Sequence, residues 1–73
     1  MPRLPNLSAR DAVSAFEKVG FRITGQKGSH IKLVNSRGIK IIIPNHSGDL
    51  KRPLLKGLIK DAGLTEDEFR KLL

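Results

Sequence analysis

FRITGQKGSHIKLVNSRGIKIIIP, residues 21–44, contains three short segments in which apolar residues recur at every second position: Phe21 and Ile23, Ile31 and Leu33, then Ile39, Ile41 and Ile43. A period of two marks a strand with one buried face. Residues 25–28 separate the first two segments and Asn35-Ser36-Arg37-Gly38 the second two. Both stretches are short enough for hairpin loops, with glycine available where a positive φ is required. The stretch therefore predicts a three-stranded antiparallel meander. Pro44 blocks continuation of the third strand, and residues 45–49 read as a loop.

Helices flank the meander. Ser8 is suited to an N-cap, with Asp11 three residues on as a weaker form of the capping-box acid. Ala12, Val13, Phe16 and Val19 follow with helical spacing, and Gly20 stands where a C′ residue ends the run. A second helix is expected from about Lys51 or Arg52, with Pro53 in its first turn and an apolar stripe of Leu54, Leu55, Leu58, Ile59 and Ala62 before Gly63. Gly57 inside it is costly unless it admits a close neighbour. Thr65 and Glu68 form a capping box for a final short helix containing Phe69, Leu72 and Leu73.

One apolar stripe per helix and one apolar face on the meander are satisfied together by an α+β two-layer sandwich of α-β-β-β-α order, a single domain spanning residues 1–73. Strict alternation turns Phe21, Ile23, Ile31, Leu33, Ile39, Ile41 and Ile43 inward. Arg22, Thr24, His30, Lys32, Val34, Lys40 and Ile42 then face out. A register error of one residue would bury Arg22, Lys32 and Lys40 without partners, which is prohibitive. No element is left to cover the outer face.

The chain carries 14 Lys and Arg against 7 Asp and Glu, a formal charge of +7, and most of the acid sits late at Asp61, Glu66, Asp67 and Glu68. Such a balance attracts polyanions. Three Phe with no Tyr or Trp argue against an aromatic platform for stacking bases. The absence of cysteine removes disulfides and thiolate metal sites and favours a reducing compartment. The longest strongly apolar run, residues 41–43, is far too short to cross a bilayer, and the first residues have no signal-peptide core. The expectation is a soluble cytoplasmic protein that does not engage a membrane.

His30, one of two histidines, thus stands on an open cationic face. Imidazole exchanges a proton near neutrality, and Lys27, Lys32 and Lys40 nearby could hold a phosphodiester against it. Gly28 and Ser29 permit close approach of a nucleic-acid backbone, with the hydroxyl as a donor. Arg22 adds to the same basic face. His46 is a secondary candidate in the loop before the second helix, weighed against a plain capping or loop role. His46 with Asp49 is too sparse for a metal site, so neither a metal nor another cofactor is expected. Val34 and Ile42 among the cations also suit a protein partner offering apolar contacts and carboxylates.

Several stretches together resemble the HicA (YcfA-like) toxin family: Pro2-Arg3-Leu4-Pro5, Gly20-Phe21, Gln26-Lys27-Gly28-Ser29-His30, residues 43–51 with their Pro-x-His loop, and Asp61-Ala62-Gly63-Leu64 with Phe69. The resemblance covers nearly the whole chain in order. It implies a double-stranded-RNA-binding-domain-like fold, mRNA interferase activity with His30 as the catalytic histidine, and inhibition by a cognate HicB antitoxin. Asn35-Ser36-Arg37-Gly38 departs from the family's His-Pro-Asp-Gly-like turn. A metal-independent endoribonuclease is the leading expectation. The competing one is a non-catalytic double-stranded-RNA-binding-like module, or a homologue without activity, using the same basic residues.

Overall fold

The computed structural model describes residues 4–45 and 48–73. The order is α1 (Ala9–Glu17), β1 (Arg22–Lys27), β2 (His30–Val34), β3 (Lys40–Pro44), α2 (Arg52–Asp61) and α3 (Glu66–Arg70), the strands forming one antiparallel sheet in the order β1-β2-β3. This is the α-β-β-β-α sandwich expected from the alternation and the stripes.

The helix ends follow the local chemistry. The Ser8 hydroxyl accepts the Asp11 backbone N–H at 3.2 Å, capping α1. At the other end Gly20 adopts φ +95°, the Gly20 N–H reaches the Glu17 carbonyl and the Phe21 N–H reaches that of Phe16. This pair of bonds is a Schellman close, and its usual apolar contact is made by the rings of Phe16 and Phe21, edge-to-face at 5.7 Å. The same close recurs after α2, where Gly63 and Leu64 bond back to Lys60 and Ile59. Pro53 fits the first turn of α2, and Thr65 with Glu68 forms the full capping box of α3.

Both long helices pack against β3. The core joins Phe16, Phe21 and Phe69 to Ile31, Leu33, Ile41 and Ile43 of the sheet and to Leu55, Leu58 and Ile59 of α2. Phe69 stacks tilted on Phe16 with centroids 5.0 Å apart, so the short α3 is anchored by one ring that contributes about 1.5–3 kcal/mol through its burial. Leu4 and Leu7 enter the same core, and the Leu50 N–H bonds to the Leu7 carbonyl, tying the lead-in to the start of α2.

Several apolar residues lie elsewhere than the periodicity implies. Ile23 pairs with Leu33 and so belongs to the helix-side face, yet it is 50% exposed. The reason is lateral: β1 is an edge strand beyond the helical layer, and none of its residues is buried. Val19 follows the last turn of α1 and is exposed. Leu54 sits about 100° round α2 from Leu55, off the stripe of Leu55, Leu58, Ile59 and Ala62, and is also exposed. Helix α3 ends at Arg70, leaving Leu72 packed on the core from beyond it and Leu73 exposed. A Cβ at Gly57 would meet nothing within 4 Å, so this glycine admits no close neighbour.

Candidate functional site

The outer sheet face is assembled by two hairpins of different construction. Residues 25–28 do not form the first loop: β1 continues through Gly25 and Gln26 to Lys27, and the turn is Gly28-Ser29 alone. Gly28 takes φ +58° while Ser29 has negative φ, the pattern of a type II′ turn, whose twist matches that of the strands it joins. Lys27 and His30 therefore become direct cross-strand partners. In the second hairpin the Asn35 side-chain oxygen accepts the N–H groups of Arg37 and Ile39, and Gly38 supplies φ +81°.

A bulge then decides which β1 residues share the face of His30. The ladder pairs Gly25 with Lys32 but Ile23 with Leu33, leaving Thr24 as the extra residue. Strict alternation from Ile23 would have put Lys27 on the helix side. The bulge reverses the phase, so Lys27 joins His30 outside. Thr24 is the hinge of this change; its hydroxyl lies 3.5 Å from the Lys32 carbonyl oxygen.

The face resolves into three rows across the sheet: Lys27, His30 and Pro44; Gly25, Lys32 and Ile42; Arg22, Val34 and Lys40. His30, Lys27, Lys32, Lys40 and Arg22 are all exposed, and Ser29 is half-buried. Partners within a row have Cβ atoms about 4.5–5.5 Å apart. An open depression of ≈ 660 Å³ is lined by Thr24, Gly25, Gln26, Lys27, His30, Lys32 and Ile42. Gly25 contributes bare backbone to it, and a Cβ there would meet nothing within 4 Å. The Asn45 N–H donates to the Ser29 carbonyl, fixing the turn against the segment after β3.

The electrostatics have one sign. Residues 18–48 include Lys18, Arg22, Lys27, Lys32, Arg37 and Lys40 but no Asp or Glu. Among the described residues the ion pair formed is Arg70 with Asp67, on α3 at the opposite layer. The four sheet cations consequently meet no neutralising carboxylate among the described residues. All three Phe are buried, so among the described residues the His30 imidazole is the aromatic ring that the open face carries.

The structure brings together Arg22, Lys27, Gly28, Ser29, His30, Lys32 and Lys40 on or beside this face. His46 lies outside the described residues, as do Met1, Pro2, Arg3 and Ser47. Among the described residues no three His, Cys, Asp or Glu side chains gather as a metal-ligand cluster, and no helix is long and apolar enough to cross a membrane. Sequence reasoning placed Thr24 on the outer face but missed Gly25 and Gln26 as lining residues. The signal was Gly28-Ser29, a dipeptide suited to a two-residue turn, which would have fixed the Lys27–His30 pairing and exposed the need for a bulge.

Comparison with known proteins adds one result. Residues 9–64, more than half of the chain, match the family model described as the HicA toxin of bacterial toxin-antitoxin. The matched span runs from α1 to the glycine close of α2 and contains the entire open face. No curated protein matches the chain.

Proposed function

The chain belongs to the HicA toxin family of bacterial toxin–antitoxin systems, and from that premise we propose that it is an mRNA interferase, a metal-independent endoribonuclease acting through His30. The observation that carries this reading is the row Lys27, His30 and Pro44, in which an exposed imidazole stands beside a cation on an uncovered face.

His30 acts as general base toward a ribose 2′-hydroxyl. It takes the proton, the 2′-oxygen attacks the adjacent phosphorus, and the P–O5′ bond breaks. The departing 5′-oxygen takes a proton from water, leaving a 2′,3′-cyclic phosphate and a 5′-hydroxyl end. Lys27 and Lys32 flank the phosphate and offset the negative charge that grows on its oxygens. Gly28 presents no side chain to an approaching backbone, and Ser29 supplies a hydroxyl donor. Lys40 holds the strand at the far row, and Arg22 adds positive charge at the other edge of that row.

Val34 and Ile42, the latter 52% exposed, give the same face an apolar component. This supports a cognate HicB-type antitoxin that covers the sheet with apolar contacts and carboxylates, blocking His30 by occlusion. The working compartment for such a reaction is the cytoplasm, where the message is found.

The test is incubation of the purified protein with end-labelled RNA in EDTA. Cleavage that His30→Ala abolishes while RNA binding survives is expected. Binding with no cleavage by the unmutated protein would instead identify a non-catalytic RNA-binding module, and His30→Ala cleaving at the original rate would remove His30 from the mechanism.

A further inference from the structure

We propose that RNA crosses this site as a single strand laid diagonally over the sheet, with three consecutive phosphates on Lys27, Lys32 and Lys40. The inference rests on the nuclease reading above and specifies the form and path of its substrate.

The register supplies the line. Lys27 is paired with His30, two residues before Lys32, and Lys32 is paired with Ile42, two residues after Lys40. Each step is thus one strand across and one row down. Diagonal neighbours of this kind stand about 7–8 Å apart, a spacing that flexible lysine side chains can match to successive phosphates on one strand. His30 lies beside the first step, adjacent to Lys27 across the sheet and to Lys32 along β2. The scissile phosphate therefore belongs between Lys27 and Lys32, and Lys40 grips the strand farther along. Arg22 shares the row of Lys40 but lies at the other edge, off the line.

The chemistry of the cut selects a lone strand. Attack by a 2′-oxygen requires it to line up opposite the departing 5′-oxygen, and the regular stacking of an A-form duplex holds it out of that line. The face must accept a backbone that has left a helix. With no Phe, Tyr or Trp on it, this face grips phosphates rather than reading sequence.

The experiment uses His30→Ala protein with 2′-O-methyl RNA, whose blocked 2′-oxygen cannot attack the phosphate, and measures binding of a fluorescent uridine decamer and of a ten-base-pair duplex across a salt series. The expected plot of log affinity against log salt for the decamer has a slope of about −2, from roughly 0.7 per phosphate contacted. Lys27→Ala, Lys32→Ala and Lys40→Ala should each flatten it by about 0.7, while Lys56→Ala on α2 leaves it unchanged. The decamer should bind more tightly than the duplex. Three lysine variants with unaltered slopes, or a duplex bound at least as tightly as the single strand, would overturn the path. Because nothing is cut in this measurement, its result is independent of the cleavage assay: the path can fail while cleavage stands, and cleavage can fail while the path stands.

Discussion

Lys27 and His30 are direct cross-strand partners, held on one face by the two-residue turn between them and by the bulge at Thr24 behind. A phosphate seated at the imidazole is then within reach of the ammonium as its charge grows. Lys27→Ala should lower kcat on an RNA oligomer by about 10²-fold, the lower end of the cost of removing one donor from a developing oxyanion. Lys27→Arg, which keeps the charge, should recover part of the loss. An unchanged kcat with a raised KM would reduce Lys27 to a binding residue.

Gly25 allows a different test of the same face. It pairs with Lys32, lies in the bulged strand without a positive φ, and has open space where a Cβ would project. Gly25→Val places a β-branched side chain, suited to a strand, into the depression between Lys27 and Lys32. The expected variant melts no lower than the parent protein but binds and cleaves RNA several-fold less well, by obstruction. Equal loss of stability and activity would show that the glycine serves the bulge instead.

Much of this geometry was legible in the residues themselves. The alternation of Ile31 and Leu33 with His30 and Lys32 sets both faces of β2, because exchanging them would bury lysine without a partner. Caps were equally plain, since Ser8, Gly20, Gly63 and the Thr65–Glu68 pair each meet a donor or acceptor only a few residues away. What escaped was lateral and long-range. Ile23 has the right phase but no helix above it, a fact that depends on where α1 and α2 settle across the sheet. The bulge escaped because it is a compromise between two local demands, the type II′ turn at Gly28-Ser29 and the pairing of Ile23 with Leu33, and neither is visible when the other is read alone.

Gly57 marks a place where the helix gives up stability to no neighbour. It lies inside α2, exposed, with nothing near the position of a Cβ. Gly57→Ala should raise stability by about 0.5–1 kcal/mol through the reduced entropy of the unfolded chain. For a domain of this size that corresponds to an increase of several degrees in Tm, with RNA cleavage unaltered because α2 faces away from the open sheet. A decrease in Tm would mean that the helix is constrained here by a contact the substitution disturbs.

The capping box of α3 gives a pH-dependent prediction. The Thr65 backbone N–H donates to the Glu68 carboxylate at 2.9 Å, and the Glu68 N–H donates to the Thr65 hydroxyl at 3.1 Å. The bond from the Thr65 backbone, aided by the Thr65 side chain and by Lys71, holds the Glu68 carboxyl below its ordinary value of 4.5. A folded value below the unfolded one means that the carboxylate favours the folded state: the contribution is complete above about 4.5 and disappears as pH falls through the folded value. Glu68→Gln, which imitates the protonated acid, should therefore melt below the parent protein at pH 7. The gap between the two should narrow as the medium is acidified past 4.5, as followed by thermal melts monitored by circular dichroism. A gap of constant size from neutral to acid conditions would assign the loss to the altered side-chain geometry and leave the Glu68 charge without a role in holding α3, and with it Phe69, against the core.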